Sequence, residues 1–189
     1  MTEMTEIRWH GRGGQGAVAS AEMLALAAIE EGKAAQAFPS FGPERRGAPV
    51  MAFTRISDDY IWLRTGVTEP DVVVVLDPSI MGVVDVTSGL KAGGVIVTNT
   101  SSTAARLTEK HNLKHKLYVI DANKVAIEEI GRPITNTAMM GALVKATNLI
   151  ELASVEKQIE QKFPAIAEKN IKALKRAYAE TESQGDGRG

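Results

Sequence analysis

Three runs in the chain are continuously apolar and rich in β-branched residues: 71–76 (DVVVVL), 94–98 (GVIVT) and 117–120 (LYVI). A strand with one wet face alternates apolar and polar residues, whereas a strand covered on both faces need not. These runs therefore predict buried parallel strands. Helical or turn segments separate them, which is the layering of an α/β domain. Residues 7–10 (IRWH) predict a fourth parallel strand. Residues 49–55 and 60–64 flank a turn-rich ISDD connection and predict an antiparallel hairpin at one edge of the sheet.

Between the first two strands the pattern changes to a helical run over 15–31, with alanine at 17, 19, 21, 25, 27 and 28. Small side chains let a helix lie close to a sheet, and Gly32 is placed to end it as the C′ residue. The last third also reads as helical. One helix is expected over 136–150, capped by Thr135 or Asn136. Ser154 is placed to cap a second, and Pro164 sits in the first turn of a third. In that third helix Ala167, Ile171, Leu174 and Tyr178 share a face, with Lys169, Lys172 and Arg176 elsewhere. The expected fold class is a three-layer α/β/α domain with a mostly parallel sheet, an antiparallel edge hairpin and a helical C-terminal third. One domain is expected over 1–180, with a polar, glycine-rich flexible tail over 181–189.

Composition narrows what this domain does. A chain of 189 residues buries roughly 70% of its unfolded surface, enough for an independent core. The net charge of −1 gives no electrostatic case for nucleic acid or an anionic membrane. There is no cysteine, so disulfides, thiol nucleophiles and cysteine-ligated clusters cannot belong to this chain. The opening MTEMTE lacks the basic and apolar regions of a signal peptide, and no apolar run approaches ~20 residues. A soluble, cytoplasmic chain is expected.

Candidate chemistry gathers where parallel strands end. Gly11-Arg12-Gly13-Gly14-Gln15-Gly16 lies between the first strand and the first helix. A glycine-rich turn there exposes backbone N–H groups at a helix N-terminus, which suits a phosphate or a carboxylate. Asp77 and Ser79 follow the valine run, Asn99 to Thr103 follow the next strand, and Asp121 follows the last. Together they predict one polar edge built by four loops. Asp77, Ser79, Thr103 and Asp121 can equally serve only as helix caps. The glycines at 11, 13 and 16 also fit G-x-G-x-x-G. A nicotinamide site would want an acid at the end of the second strand, and 34–40 carries none, while Glu30 and Glu31 fall on the helix. Residues 38–49 hold three prolines with Phe38, Phe41, Arg45 and Arg46, a long stiff loop of the kind that binds. His10, His111 and His115 form no metal pattern. Gly185-Asp186-Gly187 is too near the chain end to open the Gly-Asp-Gly magnesium–diphosphate motif of thiamine enzymes.

The turn at 11–16, the segment Ser40-Phe41-Gly42-Pro43-Glu44-Arg45-Arg46-Gly47 and Glu69-Pro70-Asp71 before the valine strand resemble, over roughly residues 5–180, the gamma subunit of 2-oxoacid:ferredoxin oxidoreductases. The pyruvate enzyme is the nearest likeness. The resemblance implies an α/β domain assembled with alpha, beta and delta subunits. The holoenzyme decarboxylates a 2-oxoacid oxidatively, forms an acyl-CoA and reduces ferredoxin. Thiamine diphosphate with its magnesium, and the iron–sulfur clusters, are implied on the other subunits. This chain then carries no catalytic residue and no cofactor of its own, is inactive alone, and contacts CoA within the complex. The residues expected at that contact are Gly11, Arg12, Gly13, Gly14, Gln15, Gly16, Ser40, Phe41, Gly42, Arg45 and Arg46, with Asn99 and Asn136 as lesser candidates. The residue at Arg45 differs in family members acting on 2-oxoglutarate, so Arg45-Arg46 points to pyruvate. The alternatives are a gamma subunit for another 2-oxoacid, a stand-alone Rossmann-type nucleotide-binding protein, and an assembly scaffold whose glycine turn contacts only a neighbouring subunit.

Overall fold

The computed structural model describes residues 4–40 and 47–184. Phe41, Gly42, Arg45 and Arg46, and the Gly185-Asp186-Gly187 triplet, lie outside the described residues.

β1 (Met4–Arg12) leads into α1 (Ala17–Glu30), then β2 (Ala34–Pro39), β3 (Pro49–Ser57) and β4 (Val72–Val75). β5 (Val95–Asn99), α2 (Ala104–His111), β6 (Lys116–Ile120) and α3 (Ala122–Ile130) follow. α4 (Asn136–Thr147), α5 (Leu152–Lys162), α6 (Ala167–Glu180) and the short β7 (Glu182–Ser183) complete the chain. The seven strands form one sheet in the order β2-β3-β1-β4-β5-β6-β7. β1, β4, β5 and β6 pair in parallel. β3 pairs antiparallel with both β1 and β2, and β7 antiparallel with β6. Five strands therefore point one way, and only β3 and β7 return.

The continuous valine run is explained by burial on both faces. Val72, Val74 and Leu76 face a core shared with α1, α4, α5 and α6. Val73 and Val75 face a second core with Ile80, Ile96, Leu107 and Leu117, roofed by α2 and the 3-10 turn Pro78–Gly82. The two helical layers are unequal, because all residues of α4 from Asn136 to Val144 are buried. Gly141 brings α4 so close to α6 that an added methyl would overlap the Leu174 carbonyl oxygen. Trp9 is fully buried, and its Nε1–H donates to Thr54 Oγ1 at 3.0 Å, whose hydroxyl donates to the Ala21 carbonyl at 3.1 Å. That chain ties β1, β3 and α1 while burying an indole, a gain of roughly 4–6 kcal/mol.

Four local expectations are corrected. The edge hairpin exists, but the partner of β3 is Ala34–Pro39, not 60–64. Both sides of β3 are already paired, so 60–64 has no backbone groups to meet and runs irregularly, with Ile61 buried and Trp62 outside. Ser154 is buried inside α5 and does not cap it; Glu151 takes that position. α4 ends at Thr147 rather than near 150, because Asn148 turns to φ 50. Asparagine tolerates that left-handed conformation better than most residues. Glu182–Ser183, expected in a frayed tail, pair with β6, and the Gln184 N–H donates to the Leu117 carbonyl at 3.0 Å. Among the described residues no helix is long and apolar enough to cross a membrane.

Candidate functional site

Four parallel strands, β1, β4, β5 and β6, end at one edge of the sheet, and the predicted polar residues sit there. The turn after β1 is built by its glycines. Gly14 and Gly16 have φ of 95 and 83, a region that costs other L-residues about 1–2 kcal/mol. A Cβ at Gly11 would press on Ala17 Cβ at 3.2 Å, so the strand and helix approach closely there.

Several donors of the turn are engaged internally. The Arg12 N–H donates to Gln15 Oε1 at 2.7 Å, the Gln15 N–H to the Arg12 carbonyl at 3.0 Å, and the Gly13 N–H to the Ala48 carbonyl at 3.1 Å. Among the described residues, the amides of Gly14, Gly16 and the first turn of α1 have no partner, and no side chain caps that helix. Four unpaired N–H groups at a helix start form a place for negative charge.

The Arg12 side chain is a strut. Its Nη2 donates to Ser79 Oγ at 2.8 Å, its Nη1 to the Gly47 carbonyl at 3.0 Å, and its Nε lies 3.2 Å from Asp77 Oδ2. Gln15 Nε2 donates to the same Asp77 oxygen at 2.9 Å. Burial pushes the Asp77 carboxyl up, but hydrogen bonds from Ser79 and Gln15, with the Arg12 charge, outweigh it and hold the group below its ordinary value. Asp77 thus neutralises Arg12, and the pull on an anion comes from the main chain. Asp77 and Ser79 were legible only as loop residues after a strand, and their link to the turn appears only in three dimensions.

Asn136 opens α4 directly against Gly16, where an added Cβ would lie 3.1 Å from Asn136 Nδ2. It is 5% exposed and its Oδ1 has no hydrogen-bond partner among the described residues. Neither Thr135 nor any other side chain caps α4, so two uncapped helix starts meet at this amide. Asn99 has a structural role: its Nδ2 donates to the Leu76 carbonyl at 2.9 Å and its Oδ1 accepts from the Ala122 N–H at 3.0 Å. Asp77, Thr103 and Asp121 do cap the elements that follow them. The stiff loop begins and ends beside the turn, since Pro39 and Pro49 lie at the same edge and Gly47 and Ala48 touch Arg12 and Gly13.

The neighbour of β1 on the side away from β4 is the antiparallel β3. A dinucleotide-binding fold places its second parallel strand there and ends it with an acid. Neither condition is met.

The sequence pattern of the pyruvate ferredoxin/flavodoxin oxidoreductase family matches residues 6–180. The chain belongs to this family. Within the pyruvate ferredoxin/flavodoxin oxidoreductases it is 55% identical to the "Pyruvate/ketoisovalerate oxidoreductases common subunit gamma" of Thermococcus kodakarensis, over 94% of this chain and 97% of that protein. It is 52% identical to the "Pyruvate synthase subunit PorC" of Methanothermobacter marburgensis, over 96% of this chain and 100% of that one. Its fold matches the crystal structure of pyruvate oxidoreductase subunit PORC from Thermotoga maritima with a TM-score of 0.88 at 41% identity, covering 96% of this chain and 99% of that one.

Proposed function

We propose that this chain is the gamma subunit of a cytoplasmic pyruvate:ferredoxin oxidoreductase, in which pyruvate, CoA and oxidised ferredoxin become acetyl-CoA, carbon dioxide and reduced ferredoxin. Its task is to hold a phosphate of CoA and to pack against the alpha, beta and delta subunits. Those partners carry thiamine diphosphate, magnesium and the iron–sulfur clusters. Two relatives at more than half identity support this reading, one named for pyruvate synthase and one for a subunit common to pyruvate and ketoisovalerate enzymes. For the Thermococcus kodakarensis relative, named as common to pyruvate and ketoisovalerate enzymes, one gamma subunit serves two 2-oxoacids.

The observation that carries the CoA assignment is the meeting of two helix starts at Gly16 and Asn136, uncapped and with the amides of Gly14 and Gly16 unengaged among the described residues. Backbone donors and two converging helix dipoles favour a phosphate without a formal positive charge. Asn136, whose amide oxygen has no hydrogen-bond partner among the described residues, is placed to orient it. Arg12, Gln15 and Asp77 hold the turn in shape.

The test is steady-state kinetics of the assembled enzyme. Gly16→Ala forces a side chain into the left-handed region and against Asn136, and is expected to raise KM for CoA about tenfold while KM for pyruvate stays within about twofold. Gly14→Ala, with open space around its Cβ, is expected to do less. Equal changes in both constants, or none, would refute CoA positioning. Turnover of pyruvate by the lone chain would refute the subunit assignment.

A further inference from the structure

The face of β2, β3 and β1 opposite α1 has no helix over it among the described residues. Gln36, Phe38, Phe53, Arg55 and Glu6 share it, in cross-strand register. The irregular segment from Asp58 to Asp71 passes over this face and anchors there through Ile61 and Val67, each 5% exposed. It leaves Trp62 81% and Tyr60 62% exposed, with their rings 4.4 Å apart. A paired Tyr and Trp in water is an unusual surface, and such residues concentrate at the centres of protein interfaces.

Beside the aromatic pair lies a cavity of about 380 Å³ lined by Gln36, Ala37, Phe38, Arg55, Leu63 and Arg64. Arg55 is 1% exposed. Its Nε donates to Glu6 Oε1 at 2.8 Å, its Nη2 reaches the Gly66 carbonyl at 3.3 Å, and its guanidinium stands 5.2 Å from the Phe38 ring centre. Its Nη1 has no partner among the described residues. A buried cation with an unmade bond is costly and calls for an acceptor. Arg64, exposed at the rim, also has no ion pair among the described residues. Arg55 is compensated by Glu6, which leaves Arg64 as the charge at the rim with no ion pair among the described residues, so a second copy of this patch would bring like charge to like.

We propose that this groove docks a segment of a partner subunit that presents a carboxylate flanked by apolar side chains. The acid bridges Arg64 and the open donor of Arg55, in the forked geometry that guanidinium offers, and the apolar groups cover Tyr60, Trp62 and Leu63. The inference rests on the reading of this chain as a subunit, and adds which surface binds and what chemistry it binds.

The test is co-expression with the other subunits, followed by native mass spectrometry and titration of the purified chain onto the complex lacking it. Trp62→Ala and Arg64→Glu replace exposed side chains, so each lone variant should keep the wild-type circular dichroism spectrum and Tm. Each is expected to weaken assembly at least tenfold, and Arg64→Glu to abolish most of the salt dependence of the association. Lys114→Glu, on the connection before β6, serves as a charge control and should assemble as wild type. Assembly of both groove variants within about twofold of wild type would overturn the proposal, as would equal weakening by the control. A wild-type homodimer that Trp62→Ala dissociates would assign the groove to a second copy instead. If the wild-type chain fails to join any other subunit, the underlying subunit reading falls with it, a result distinct from selective failure of the variants.

Discussion

His10 offers a direct test of how the central strand is buried. The imidazole is 2% exposed, on the face of β1 opposite α1, and its Nε2 accepts from Arg8 Nε at 3.1 Å. Arg8 itself is held by the carbonyls of Val86 and Ser88 at 2.9 and 2.7 Å. Burial, and then the adjacent Arg8 charge, push the His10 pKa from 6.5 down to about 4. The folded chain therefore keeps His10 neutral where the unfolded chain binds a proton. Stability from this group is complete above pH 6.5 and is lost as pH falls toward 4. Between pH 7 and pH 5 the unfolded state gains about 0.7 of a proton and the folded state about a tenth of one, a loss of about 2 kcal/mol that grows to about 3 below pH 4. His10→Gln keeps an acceptor for Arg8 and removes the titration. Urea unfolding followed by Trp9 emission at pH 7 and pH 5 should show wild type losing about 2 kcal/mol more than the variant. Equal losses, or a His10 proton resonance titrating near the unperturbed value, would refute the reasoning.

Gly141→Ala drives a methyl into the Leu174 carbonyl and is expected to cost about 3 kcal/mol, read as a fall in Tm. Trp9→Phe removes the donor to Thr54 Oγ1 and part of the buried indole, for an expected loss of about 2 kcal/mol in chemical denaturation. Asp77 is held below its ordinary value of 3.8, so its contribution is present above that pH and lost as pH falls through the lower folded value. Asp77→Asn should therefore flatten the acid limb of the unfolding curve below about pH 4.

The parallel half of the sheet was legible because burial on both faces leaves no alternation, and 72–75, 95–99 and 116–120 all carry that signature. The glycine turn was legible for a related reason: at Gly14 and Gly16 the backbone enters a region that few other residues tolerate. The edge was misread because 60–64 has the apolar content of a strand. What decides strand pairing is a free neighbouring edge, and β2 had already taken it. Within the site, proximity was the missing quantity. Nothing local in the sequence says that Gln15 and Arg12 share the Asp77 carboxylate, or that Asn136 packs on Gly16, 120 positions away. Arg12 shows the limit of reasoning from residue type, since its donors are used within the fold.

The position of β1 has a consequence for biosynthesis. It leaves the ribosome before either of its neighbours in the sheet, residues 49–57 and 72–75. At translation rates of about 5–20 residues per second, roughly 3 to 13 seconds pass between the emergence of Arg12 and that of Val75. Until residues 49–57 emerge, a segment containing Ile7 and Trp9 has two unsatisfied edges, and until 72–75 emerge it has one. The nascent chain is at its most vulnerable to misassociation then, and chaperone contact should concentrate on residues 4–12.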